Sequence, residues 1–270
     1  MCVFRTGVAH GTALAVLASP ANRVTPLKGH RHACSGEPLF APSHVCITEV
    51  LIQSLKQRVG IGVASNHPLF ALFDHAARGV FPPVDGAVTV TSPLVGGHEA
   101  IVCFTGHAVI ATRLTIDELG EPAPDGYGSA LHPRVQLLMA NNGVIGVNDV
   151  TLVARGIGGQ PDLTRTEQWN DHPRVAHARA LRSGVTVYGD ESGFITIGKG
   201  LAGRNEMSIE VRHDLHDRGA GRRLIHGARQ MTPPGSHVFA AVSPGNARSL
   251  RAFLSQGFTP IASEVIITPA

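Results

Sequence analysis

Apolar and polar positions follow no sustained period over residues 1–46. Pro, Gly and His are scattered through this stretch, and it is expected to be extended or disordered. Helical spacing begins in residues 47–57, where Val50, Leu51 and Leu55 share a face. A second short helix is expected over 67–78, with Leu69, Leu72, Phe73 and Ala76 on one side. The period then shortens. Residues 87–91 alternate as a strand, and 100–104 and 108–112 are apolar runs broken by Thr105-Gly106-His107. Pro82-Pro83 and Pro93 set the turns around them. A helical turn is expected over 115–119. Strands are expected over 135–139 and 150–154, separated by Asn141-Asn142-Gly143. Residues 156–171, rich in Gly, Asp, Thr and Pro, read as a loop. A helix follows over 172–181, with Val175, Ala178 and Leu181 along one side.

From residue 185 the pattern sharpens. Strands over 185–188 and 194–198 flank the turn Gly189-Asp190-Glu191-Ser192-Gly193, and a second glycine-containing turn spans 199–205. Met207, Ile209 and Val211 then alternate with Ser208 and Glu210, completing an antiparallel meander with one apolar face. A glycine-containing loop follows, and after it a helix with Ala220, Leu224, Ile225 and Ala228 as its apolar stripe. A buried strand is expected over 238–242. Asn246 caps another helix, whose apolar side is Ala247, Leu250, Phe253 and Leu254 and whose natural stop is Gly257. Closing strands are expected over 258–261 and 265–268. No fixed-period repeat is present. The first half has a β-rich texture similar to the second, which leaves open a degenerate copy of the same fold.

Composition changes this picture little. In 270 residues, 43% apolar, a sizeable core is available, and 31 Gly and 18 Pro imply short elements and many turns. The formal charge of +3 is too small to point to nucleic acid. Lys occurs only at Lys28, Lys56 and Lys199, so the cations are almost all Arg, as GC-rich codon usage favours. Cys2, Cys34, Cys46 and Cys103 lack framework spacing, which suits a reducing, cytoplasmic setting. The stretch His30-Arg31-His32-Ala33-Cys34 is an incomplete metal set, and no metal is expected. No run is long enough to span a membrane. The short apolar run 12–18 before Ser19-Pro20-Ala21 is a faint signal-peptide pattern, interrupted early by His10. An extension or an overlong start are the other readings of this end.

Chemistry concentrates at Val211-Arg212-His213-Asp214-Leu215-His216-Asp217-Arg218-Gly219-Ala220-Gly221-Arg222-Arg223-Leu224. A strand enters a glycine loop and a helix leaves it. Unpaired N–H groups of a first helical turn converge on one spot, and the helix dipole favours negative charge there. Gly219 and Gly221 let a bulky anion approach the backbone, with Arg218, Arg222 and Arg223 nearby.

The order of elements here is strand, x-x-x-G-x-G loop at His216-Asp217-Arg218-Gly219-Ala220-Gly221, helix, strand, then a helix capped by Asn246, carrying Ser249 and Phe253 and ending in Gly257-Phe258. Over residues 185–267 it resembles the acyl-CoA-binding core of the GNAT superfamily of N-acyltransferases. The resemblance implies that loop amides at Arg218, Gly219, Gly221 and Arg222 hold the CoA pyrophosphate, with Ala220 between them. It implies a splay between the strands before and after the loop that takes the pantetheine arm. Val211 and His213 would border it on one side, Ala240 and Val242 on the other, with Asn246 beside the thiol end. Two positions depart from the family pattern. His216 stands where Arg or Gln is usual. Phe253 stands where many members place a Tyr that protonates the leaving thiolate, and neither Tyr127 nor Tyr188 matches that place.

Amine acylation needs a base, because an ammonium cannot attack a thioester. The resemblance points to Glu206, and Glu210, four residues on, faces the same side; a solvated strand face is the plainer reading of both. His213 is a third candidate. His107 reads either as a satisfied structural histidine or as a group reaching a cleft. The expected fold is α+β: a GNAT-like mixed, mostly antiparallel sheet flanked by helices, with an additional α/β N-terminal domain. The divisions are an N-terminal segment over 1–46, a domain of unknown function over 47–147 and the acyl-CoA-binding domain over 148–270. The expected activity is transfer of an acetyl or short acyl group from acetyl-CoA, or another acyl-CoA, to a primary amine of a small molecule or protein. A non-catalytic acyl-CoA-binding or interaction module is the alternative. No nucleic-acid or membrane partner is expected, and a homodimer is compatible with this reading.

Overall fold

Three of the five helices among the described residues start with the same dipeptide. The computed structural model describes residues 67–215 and 218–270, so the helix expected over 47–57, the His30–Cys34 stretch and His216 lie outside the described residues. Helices α1 (Pro68–Ala77), α2 (Pro133–Ala140) and α3 (Pro173–Leu181) are each preceded by a His N-cap whose Nδ1 accepts a backbone N–H from Leu69, Arg134 or Arg174. The proline that follows presets the helical φ and has no N–H to leave unpaired. This device overrides the strand expected over 135–139. Val135 and Met139 are buried one helical turn apart, and Asn141 ends α2 in the left-handed region at φ 46°.

The strands are β1 (Val88–Thr91), β2 (Glu99–Phe104), β3 (His107–Ala111), β4 (Val144–Ile145), β5 (Asp149–Arg155), β6 (Thr164–Arg165), β7 (Ser183–Asp190), β8 (Gly193–Lys199), β9 (Asn205–Val211), β10 (His237–Val242) and β11 (Thr259–Thr268). Helices α4 (Ala220–Met231) and α5 (Ala247–Ser255) flank β10 in sequence. The strands form one mixed sheet in the order β1-β3-β2-β11-β5-β10-β9-β8-β7-β6, with β4 also on β11. Only β1/β3 and β9/β10 are parallel among these pairs. The expected boundary near residue 148 has no counterpart in this sheet. The single strand β11 replaces the two closing strands expected there. It pairs β5 from Thr259 to Glu264, with an irregularity between Pro260 and Ala262, and pairs β2 from Ser263 to Ile267. A ten-residue strand is long enough to join residues 99–111 to the later strands, and the described residues fall in one compact unit.

Side-chain alternation divides the core between the two faces. On one face Val153 and Phe239 pack with Leu69 and Phe73 of α1. On the other, Leu152, Ala154, Val238 and Ala240 pack with Leu224, Ile225 and Ala228 of α4, and Phe253 of α5 joins them. Farther along that second face Val265 and Ile267 meet Val135 and Met139 of α2. Helix α3 covers the first face through Val175, Val187 and Phe194.

At the centre of the first face lies Arg204, 0% exposed. Its guanidinium sits 4.5 Å from the Phe73 ring centroid and 5.4 Å from that of Phe239. It pairs with Glu206 at 2.9 Å and Glu264 at 2.6 Å, and Arg182 reaches Glu206 at 2.7 Å. Thr151 donates its hydroxyl to Glu264. Two cations thus meet two carboxylates, and burial leaves no net charge. Burial alone would push the Glu206 carboxyl up, but Arg204 and Arg182 overcome it and hold it below the ordinary range.

Removing Arg204 alone leaves two carboxylates facing each other without water. Arg204→Met is expected to cost about 3–5 kcal/mol, read as a lower urea midpoint. Adding Glu264→Gln leaves Glu206 paired with Arg182 and restores part of the loss.

Asp149, opposite Glu264 on β5, is pushed up to about 6 by burial and by the charges of Glu264 and Glu206. A raised carboxyl makes the folded state bind more protons than the unfolded chain between the ordinary 3.8 and about 6, so its contribution to stability falls as pH rises through that window. Asp149→Asn removes this slope. Denaturation midpoints of the two proteins, measured across the window, are expected to shift in favour of the variant as pH rises.

Candidate functional site

Helix α4 connects two parallel neighbours, β9 and β10. These strands share a single register pair, Phe239 with Glu206, at their N-terminal ends. Beyond it both run on without pairing each other, so the sheet opens toward Val211 and Val242. Facing backbone edges in such an opening carry N–H and C=O groups that an extended amide chain can satisfy.

At the open end the chain turns through Gly219 at φ 83° and enters α4, whose first turn has no side-chain cap. A Cβ at Gly219 would meet nothing nearer than Arg222 at 3.9 Å. One at Gly221 would only touch Val211 at 3.5 Å and Ile209 at 3.8 Å. The first turn of α4 thus has no side-chain cap and room beside both glycines, features that an anion site requires.

A cavity of about 540 Å³ lies over this turn. Its wall includes Val211, Gly219, Gly221, Arg222 and Asn246, which brings together five of the expected cofactor-side residues. Asn246 keeps its expected capping role, its side-chain oxygen accepting the Ser249 N–H at 3.1 Å. Arg218 is exposed and His213 lies in a short turn before the loop; neither is part of the wall, and Ala220 is buried beneath it. Ala240 and Val242 are buried. Arg223 points elsewhere, bonding Asp190 at 2.8 Å and the Ser192 hydroxyl at 2.6 Å, and so braces α4 against the β7–β8 turn.

Sequence reasoning missed three arginines of the wall: Arg174 on α3, and Arg248 and Arg251 on α5. The pattern at 248, 251, 252 and 255 is one helical face and was readable as such. With Arg222, the described residues of the wall carry four guanidiniums and one carboxylate, Glu210, a bias toward anionic ligands.

The two glutamates separate. Glu206 is 4% exposed and not in the wall; both its carboxylate oxygens are engaged by Arg204 and Arg182. Glu210 is in the wall and pairs with Arg174 at 2.5 Å. Phe253, at the place of the usual acid, is 3% exposed and packs edge-on against Phe258 at 4.9 Å. His107 is buried, bonded to Asp85 at 2.9 Å and Thr89 at 3.0 Å, and lies apart from the cavity wall. Among the described residues no cluster of His, Cys, Asp or Glu could hold a metal ion, and no helix is long and apolar enough to cross a membrane.

No family model matches the sequence, and no curated relative does. Solved structures similar to this chain include a protein from Novosphingobium aromaticivorans assigned to the GNAT family of acetyltransferases, at 16% identity and a TM-score of 0.36 over 47% of this chain and 66% of the other. A GNAT-family acetyltransferase from Colwellia psychrerythraea matches at 13% identity and a TM-score of 0.30, over 51% and 62%. A GCN5-related N-acetyltransferase from Sphaerobacter thermophilus matches at 15% and 0.32, over 52% and 56%. The matched region spans less than two thirds of each of those chains.

Proposed function

We propose that the chain binds an acyl-CoA thioester, acetyl-CoA or a near relative, and transfers its acyl group to a primary amine. The observation that carries this reading is the junction of an opened parallel strand pair with an uncapped helix start and an arginine-lined cavity. Phosphate groups suit the α4 N-terminus and Arg222. An amide-bearing arm suits the splayed strands β9 and β10.

For the reaction, the amine must lose a proton before it attacks the thioester carbonyl. Glu210 is the carboxylate among the described residues of the cavity wall and takes the role of base. Glu206, locked between guanidiniums, holds the narrow end of the strand opening. With Phe253 at the acid position, the thiolate leaves unassisted and is protonated afterwards.

The same Phe253, together with the engaged Glu206, favours a second reading: a module that binds acyl-CoA without turnover. Calorimetric titration with acetyl-CoA tests the shared premise. Wild-type protein is expected to bind, and Gly219→Trp and Gly221→Trp are expected to abolish binding by filling the space over α4. Failure of the well-folded wild type to bind sinks both readings.

Release of free thiol in the presence of amines then separates them. Under the transferase reading Glu210→Gln is expected to lower kcat about 100-fold or more. Glu206→Gln is expected to act mainly on the denaturation midpoint. Binding with no thiol release from any amine establishes the module instead.

A further inference from the structure

Resting on the acyltransferase reading, we propose that the acceptor is a zwitterion, a free amino acid or a similar molecule with a carboxylate beside its amine, recognised by exchange of partners with the Arg174–Glu210 ion pair. The geometry starts in the sheet. Phe194 of β8 and Glu210 of β9 are register partners, so their side chains stand side by side on one face. Phe194 is fully buried beneath Trp169 and His172, with ring centroids at 5.1 and 5.0 Å. His172 is the N-cap of α3. This aromatic stack therefore fixes where α3 begins, and Arg174, two residues on, is delivered to Glu210 at 2.5 Å.

Both members of the pair lie in the wall of the cavity that also holds Gly219, Gly221 and Arg222. Their side chains are 42% and 33% exposed, and pairs this open to water hold weakly. An entering ligand can therefore part them, but the charges decide which ligand gains. A plain ammonium takes Arg174's place on Glu210 and leaves the guanidinium unpaired, in a wall that already carries Arg222, Arg248 and Arg251. A zwitterion restores both contacts, its ammonium on Glu210 and its carboxylate on Arg174, where the planar guanidinium can bind both oxygens.

Glu210 then takes one proton from the ammonium and passes it to solvent. The freed nitrogen forms the new C–N bond at the thioester carbonyl, the C–S bond breaks, and its electron pair leaves on sulfur. The nitrogen's surplus proton ends on the thiolate. The products are an N-acyl amino acid, free CoA thiol and one proton.

The test compares thiol release with the protein amino acids, each beside its amide and its decarboxylated amine, for wild type, Arg174→Met and Arg174→Lys. Wild type is expected to favour at least one amino acid over its amide and amine by about tenfold or more in kcat/KM. Arg174→Met is expected to erase that preference by slowing the amino acid alone, and Arg174→Lys to keep part of it. Acetyl-CoA affinity, measured by calorimetry on the same proteins, is expected to stay unchanged. Equal use of amine and amino acid overturns the proposal. So does a fall in acetyl-CoA affinity in Arg174→Met that matches its loss of rate, because Arg174 is then a cofactor ligand. Acetyl-CoA binding without turnover of any of these acceptors overturns the acceptor assignment and leaves the cofactor site standing. Absence of acetyl-CoA binding in wild type overturns the underlying reading itself.

Discussion

A guanidinium with no exposure to water, that of Arg204, sets the geometry on which the rest of this molecule depends. It leaves a short turn before β9 and meets carboxylates from β9 and β11 while lying over rings from α1 and β10. Five elements thus meet at one charge. The arrangement is tolerable only because the opposite charges balance and every partner is close. Its position also explains the cleft. Glu206 is both a member of the network and the register partner of Phe239, so the one point where β9 and β10 join is where the network clamps them. From that hinge point outward the strands part. Of the two carboxylates that the sequence nominated for chemistry, Glu206 is the one engaged by this network.

Two sets of arginines do different work. Arg204, Arg182, Arg223 and Arg229 brace elements against one another; Arg229, for example, donates to the Arg155 and Gln256 carbonyls and so ties α4 to β5 and to the end of α5. Arg222, Arg248 and Arg251 are turned toward the cavity. Bracing exploits the planar, multi-donor fork of the guanidinium, which an ammonium cannot copy. An Arg-rich composition therefore reads as codon usage at the level of counting and as structure at the level of geometry.

Much of the later half was legible because its signals are local. Alternation at Met207, Ile209 and Val211, the glycines at 219 and 221, and the Asn246 cap each act within one element or one turn, and the β9–loop–α4 unit follows from them. Two features have long-range causes. Nothing within residues 259–268 announces that one strand will serve two neighbours and join residues 99–111 to the later strands. An Arg at a turn looks solvated until Phe73, 131 positions earlier (204 − 73), supplies its lid. Helix α2 was misread because its apolar run is short. Its start signal, a histidine and proline in place of Ser, Thr or Asp, lies outside the usual list of caps.

That start signal has a consequence for the whole fold. An imidazole caps a helix only while Nδ1 carries no proton, because a protonated ring has donors and no acceptor. His67, His132 and His172 begin helices on both faces of the sheet, and His172 also sits in the aromatic stack beside Glu210. Each cap therefore fixes its ring as the tautomer that carries the proton on Nε2, the acceptor turned to the helix and the donor turned away from it. At His67 that donor reaches the Ser92 carbonyl at 2.9 Å, so one side chain both starts α1 and ties it to the end of β1.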